Sequence, residues 1–298
     1  MKNFMKNYQR HLQLLPSYIA LTKPGIIWLL LVTTIPAMIL AANELPEFQL
    51  MFYTIFGGSL AAGGANSMNH YLDRDIDKLM KRTSNRPLPK NILPEQHALI
   101  LGITLSSIAI VQLYFTINMM AALITLFSIF FYAIIYTAYL KRRTVQNIVI
   151  GGAAGSTPPM IGWGAVQNQI SLEAILLFLI VFYWTPAHFW ALALLKEDDY
   201  SSAKVPMLPV VVGKIEACKL ILLYAIALVC ISIIFGLIAG LSFIYFGSAI
   251  FINILFIKYA FELYKNYSDK QAKKLFLFSI IYLVVLFAGM GIDVLLIN

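Results

Sequence analysis

Charge is scarce in this chain. Only 12% of its 298 residues are Asp, Glu, Lys or Arg, against about 25% in an average soluble domain. So little polar surface cannot face water all round, which excludes an ordinary soluble globule. Cysteine is scarcer: Cys218 and Cys230 are the only two. On one helix, rising about 1.5 Å per residue, they stand roughly 18 Å apart, too far to bridge. No disulfide scaffold and no cysteine metal knuckle is therefore expected. Acidic residues are outnumbered, 14 against 22 Lys and Arg, for a formal net charge of +8. That sign alone suggests nucleic acid, but the placement of the charges argues against it.

What the chain has in excess is apolar: 60% of its residues are hydrophobic and its mean hydropathy is +0.79. A membrane helix needs about 20 largely apolar residues. Nine stretches qualify, at 21–41, 50–71, 97–117, 120–140, 146–166, 172–195, 215–238, 241–263 and 274–296. With the N-terminus inside, every Lys and Arg falls on one side, in the N-terminal arm, in residues 72–96, 141–145, 196–214 and 264–273, or at the adjoining helix ends. The other side has short links holding Glu44, Glu47 and Glu173, with Asp293 in the last span. This is the positive-inside pattern, so the basic charge reports topology.

The fold class predicted is all-α: a polytopic membrane bundle of about nine transmembrane helices. The domain runs over residues 1–298, with a cytoplasmic arm at 1–16. Its two long polar loops, 72–96 and 196–214, follow the second and sixth spans, a spacing that suggests two related four-helix halves plus a ninth helix. The C-terminus is then opposite the N-terminus, and a bacterial plasma membrane is the expected location.

The first loop begins with an unusual face. Asn69, Asp73 and Asp77 recur every four residues and share one side of a helix. Two carboxylates one turn apart repel, and a hard divalent cation relieves that repulsion. Mg²⁺ favours one or two carboxylates, with substrate phosphates and waters completing its shell. Downstream, Arg82 and Arg86 offer the guanidinium forks suited to phosphate oxygens. Asn66 and Asn69 lie inside the apolar end of the span, where an amide is costly unless it is used. A plain solvated loop, its acids neutralised by Arg74, Lys78 and Arg82, is the blander alternative.

The second loop offers Lys196, Asp199 and Tyr200, with His188 two turns before Lys196 and Pro206 and Pro209 shaping the turn. Two polar loops over an apolar bundle suit a long hydrocarbon diphosphate whose head meets a metal. Ionising its carbon–oxygen bond requires the departing charge to be stabilised. Aromatic faces can shelter the cation left behind.

At these residues the chain resembles the UbiA-type intramembrane prenyltransferases. The family's Asn-Asp-x-x-Asp-x-x-x-Asp motif matches at Asn69, Asp73 and Asp77, with His70 in place of the first Asp. Arg82–Leu88 reads Arg-Thr-x-x-Arg-Pro-Leu, also family-like. The second family motif keeps Asp199, but its partner position is Ala203. Lys196-x-x-Asp-Tyr, Pro206-Met-Leu-Pro209, Thr22-Lys-Pro-Gly25 and Thr185-Pro-x-His188 are similar to the haem-modifying branch.

The resemblance implies farnesyl transfer from farnesyl diphosphate to a vinyl group of haem B, with hydration. Asn69, Asp73, Asp77 and Asp199 would hold Mg²⁺, Arg82 and Arg86 the diphosphate, and Lys196 would complete the catalytic set. Asn66, His188 and Tyr200 are assigned to substrate; His188 is expected, from an imidazole at pocket depth rather than from the resemblance, to contact haem or its iron. Association with haem A synthase or terminal-oxidase assembly is expected from the resemblance alone. An aromatic quinone precursor is the alternative acceptor. A transporter is the alternative class, with Gly151-Gly152-x-x-Gly155 and Pro158-Pro159 as a broken helix; close packing with a kink explains that run more simply.

Overall fold

The structure is a computed structural model that describes residues 14–297. The basic arm lies outside the described residues except for residues 14–16, which open α1 (Leu14–Thr22). The chain breaks at Lys23, a left-handed residue with φ 50°, and restarts on Pro24 as α2 (Pro24–Ala42). Proline at the first helical position has no hydrogen bond to lose there. Next come α3 (Phe48–Leu72), the single turn α4 (Arg74–Asp77) and α5 (Glu95–Thr116). α6 (Met119–Phe130) runs on as a π-helix over Phe131–Tyr139 and a 3-10 turn at Leu140–Arg142. Two short helices, α7 (Asn147–Gly155) and α8 (Pro158–Gln167), precede α9 (Leu172–Leu194). The second loop holds α10 (Glu197–Ser202) and α11 (Leu208–Val212). α12 (Lys214–Ile238), α13 (Phe243–Lys265) and α14 (Asp269–Ile297) complete the bundle.

The all-α class is what the described residues show, without a strand among them. The count of nine spans is not established. Among the described residues six helices are long and apolar enough to cross a membrane: α5, the α6–π segment, α9, α12, α13 and α14. The pair α1–α2, bent by 45°, makes a seventh if taken as one span. The remaining expected spans differ for physical reasons. α3 has 25 residues but includes Gln49, Asn66, Asn69 and His70, while α7 and α8, at 9 and 10 residues, are each too short alone.

The main core joins α9 to α12, α13 and α14, with α2 and α8 against it. Large apolar residues such as Phe48, Phe115, Phe243 and Ile254 are exposed on the outside, the surface a bilayer covers. At Gly151 and Gly152 an added Cβ would strike Tyr136 and Thr185. Gly151 and Gly152 thus form a close-packing seam between α7, the π-helix and α9, while Gly155 has nothing within 4 Å.

Candidate functional site

The end of α3 and the turn α4 carry the three-residue face. Asp73 N–H donates to the Asn69 carbonyl at 2.9 Å, and Asp77 N–H to that of Asp73 at 2.8 Å, so the helical winding persists through the motif. All three side chains are buried, with Asp73 at 0% and Asp77 at 1% exposure. Buried carboxylates need cations or donors, and these arrive from several elements. Lys141 Nζ sits 2.5 Å from Asp73 Oδ2, which also accepts from Asn69 Nδ2 at 2.8 Å. Arg86 donates to Asp77 Oδ2 at 2.7 Å. Lys23 Nζ donates to Asn69 Oδ1 at 2.7 Å, so one amide bridges a cation and an anion. Asn66 Nδ2 donates to the Thr22 carbonyl at 3.2 Å and pins the α1–α2 break.

Four atoms of the motif keep no partner: Asp73 Oδ1, Asp77 Oδ1 and both ring nitrogens of His70 are buried with no hydrogen-bond partner among the described residues. His70 occupies the place of the motif's first Asp and adds no carboxylate there. Two unmatched carboxylate oxygens, with Lys141 and Arg86 on their companion oxygens and Lys23 on Asn69, are donors suited to a hard cation that shares its shell with an anionic ligand. Among the described residues no group of three or more His, Cys, Asp or Glu gathers as an all-protein cage.

The second loop locks onto the first. Asp199 accepts from the backbone N–H of Lys81 at 3.0 Å and of Arg82 at 3.4 Å, across 118 residues of sequence. Ser202 Oγ donates to the Leu79 carbonyl at 3.3 Å. Tyr200 is buried beside them; burial pushes its hydroxyl above the usual phenol range, Asp199 adds to that, and Arg82 opposes it. Asp199 therefore clamps the second loop to the Lys81–Arg82 backbone of the first. Lys196 and Arg82 have exposed side chains. His188 stands apart from the carboxylate cluster, its Nδ1 2.6 Å from Ser279 Oγ on α14.

Sequence reasoning missed Lys23, Lys141, Thr137 and Tyr132. Thr137 Oγ1 donates to the Tyr132 carbonyl at 2.8 Å and accepts from Asn69 Nδ2 at 3.2 Å, and Tyr132 donates to Asn66 Oδ1 at 3.4 Å. So positions 132, 137 and 141 meet 66, 69 and 73. In an α-helix, at about 100° per residue, Tyr132 and Thr137 would point roughly 140° apart. The wider π-turn closes that gap, and π segments are frequent at functional sites. Only Lys23 left a signal, in the Thr-Lys-Pro-Gly run.

A helical bundle with six apolar helices of membrane-spanning length, folding two distant polar loops over a half-satisfied carboxylate pair, defines a multi-pass membrane protein with a polar site. More particularly, the chain belongs to the UbiA prenyltransferase family, whose profile matches residues 30–284. It is 46% identical over 94% of its length to a protein of Roseiflexus castenholzii named protoheme IX farnesyltransferase, of which it covers 52%. A protein of the same name from Rhodococcus jostii is 44% identical, with 93% of this chain and 92% of that one covered. The chain spans about half the length of the first three such relatives. Among solved structures, a digeranylgeranylglyceryl phosphate synthase has TM-score 0.79 at 18% identity, covering 95% of this chain and 99% of that one. A UbiA homologue from Archaeoglobus fulgidus, bound to GPP and Mg²⁺, has TM-score 0.61 at 16% identity, covering 92% and 99%. These likenesses establish the fold.

Proposed function

We propose that this chain transfers the farnesyl group of farnesyl diphosphate to a vinyl side chain of haem B, giving haem O. One observation carries the reading: Asp73 and Asp77 each keep a buried oxygen with no partner among the described residues, while Lys141 and Arg86 pair with their other oxygens and Lys23 bonds Asn69. The relatives named protoheme IX farnesyltransferase supply the acceptor.

Asn69, Asp73 and Asp77 would hold Mg²⁺, which supplies charge neutralisation for a departing diphosphate. Lys23, Lys141, Arg82 and Arg86 donate to the diphosphate oxygens. As the C1–O bond breaks, its electron pair leaves with the diphosphate, and donors already in place stabilise that charge without reorganising. The allylic cation is captured by the vinyl π-bond. Water adds to the resulting cationic carbon and releases a proton. Asp199 keeps the Lys81–Arg82 backbone against the site, Tyr200 walls it, Asn66 fixes the entry of α2, and Lys196 stands at its exposed rim. The bundle lies in a bacterial plasma membrane with its N-terminus and both loops cytoplasmic, next to haem A synthase or the terminal oxidase it supplies.

An aromatic quinone precursor is the second acceptor to test; Ala203 in place of an Asp and the Pro206–Pro209 run favour haem. Purified protein given haem B, farnesyl diphosphate and Mg²⁺ should yield haem O by mass. Product with an aromatic acid and none with haem would reassign the acceptor.

A further inference from the structure

Ser279 decides which nitrogen of His188 carries the proton. Its hydroxyl donates to the Phe276 carbonyl at 2.6 Å, so its one hydrogen is committed. Towards His188 Nδ1, also at 2.6 Å, the same oxygen is the acceptor. Nδ1 is therefore the N–H of a neutral imidazole, and Nε2 keeps its lone pair.

The ring is held rigidly around that lone pair. Trp184 stacks on it at 4.4 Å and Phe276 at 4.7 Å, while Phe189 meets it edge-on at 5.1 Å. Trp184 Nε1 donates to the Ser279 carbonyl at 2.7 Å, which ties the clamp together. Both faces are covered and the Nδ1 edge is bonded, which leaves Nε2 as the ring nitrogen without a bond, in a residue that is 8% exposed. A ligating histidine is oriented in this manner, by giving its second N–H to a fixed acceptor.

The surroundings say what it ligates. Trp184, Phe189, Phe276 and Ser279 are uncharged, and a bare Zn²⁺ or Mg²⁺ needs four to six donors. Among the described residues no such group gathers. A metal that brings its own equatorial donors needs one axial nitrogen and an apolar, aromatic wall, which describes an iron porphyrin. The depth agrees: His188 lies six residues before the end of α9 at Leu194, about 9 Å of helix, below the charged loop that carries Asp199.

We infer that His188 Nε2 is the axial ligand to the iron of the porphyrin acceptor, aligned by Ser279 and clamped by Trp184 and Phe276. The inference rests on the haem reading of the proposed function. Ligation forms one Fe–N bond and changes no oxidation state, so it positions the acceptor and takes no part in the transfer.

The test is titration of the full chain in lipid nanodiscs with haem B, followed by absorption and electron paramagnetic resonance. Wild type should show an imidazole-ligated iron. His188→Asn keeps a donor for Ser279 but has no Nε2; it should lose that signature and bind haem at least tenfold more weakly, with farnesyl diphosphate affinity unchanged. Iron-free protoporphyrin IX should bind both proteins alike. If His188→Asn does not fold, His188→Gly with added imidazole serves instead, and imidazole should restore the signature. An unchanged spectrum and affinity in either variant, or no imidazole signature in wild type, overturns the inference. Mass analysis of the same wild-type samples separates the two claims. Haem O formed without an iron–imidazole signature sinks only the ligand, whereas absence of haem O sinks the acceptor itself.

Discussion

Asn253, midway along α13, donates to Ser232 Oγ at 3.0 Å and accepts from Tyr282 at 2.8 Å, while Tyr245 donates to the Ser232 carbonyl at 2.7 Å. Asn69, at the end of α3, is bonded as fully, yet its neighbours Asp73 and Asp77 each keep a buried oxygen with no partner. Both clusters are buried in apolar surroundings, where an unmatched polar atom costs roughly 1–3 kcal/mol. The α12–α13–α14 network removes that cost within the protein and so serves as interhelical glue. The α3–α4 cluster leaves it standing, with three cations held nearby, and that is the condition of a site completed by its ligand.

The largest effect should come from the unmatched side. Asp73→Asn or Asp77→Asn keeps the shape and removes the charge, and turnover should fall about 100- to 1,000-fold with protein abundance within about twofold of wild type. Full activity of either variant at limiting Mg²⁺ would make the orphan oxygens mere packing defects. Lys141→Met comes next. It removes one charge-assisted bond, worth about 1.5–3 kcal/mol, so farnesyl diphosphate turnover should drop about 10- to 100-fold. A loss of the same size in membrane stability, with turnover per folded molecule intact, would move Lys141 to the structural side.

Asn253→Leu attacks the satisfied network. Interhelical hydrogen bonds in membranes average about 0.6 kcal/mol and reach about 1.7, so stability measured by denaturant unfolding should fall within that range. Turnover per folded molecule should not change. A kcat loss beyond a few-fold at unaltered stability would erase the contrast between the clusters.

Much of this contrast was legible in the sequence, and the illegible part has a physical pattern. Asn69, Asp73 and Asp77 could be read because backbone bonds from Asp73 to Asn69 and from Asp77 to Asp73 carry the spacing of four across the break between α3 and α4. Long spans such as α9 and α14 announced themselves by length and hydropathy. α3 and the α7–α8 pair blur the span count, because their polar and glycine residues serve the site and the packing seam. Thr137 was hidden because the π-helix puts it on a face that a 3.6-residue period does not predict, and Lys141 because it follows in the 3-10 turn beyond. The Asp199 link to Lys81 and Arg82 is tertiary, and a single chain without pairing information has no local trace of it. His188 could be suspected from composition, but its tautomer depends on Ser279, 91 residues away.

The smallest expected effect lies just outside the site, where Asp75 sits beside the orphan carboxylates on the same turn but faces water. Arg142 grips both its oxygens at 2.6 Å, and that hydrogen bonding, against a partial opposing burial, holds the Asp75 carboxyl below its ordinary value. A depressed carboxyl stabilises the fold above its unfolded pKa, near 4, and loses that contribution as pH falls through the folded value. Asp75 is 61% exposed, so screening limits the pair to about 0.2–1 kcal/mol. Asp75→Asn should therefore lower the thermal midpoint slightly at pH 7, less in high salt, and not at all once the wild-type carboxyl is protonated. Turnover should stay within about twofold. A difference that persists undiminished at low pH would mean that Arg142, through its bond to the Leu72 carbonyl at 2.6 Å, holds the end of α3 without help from the acid.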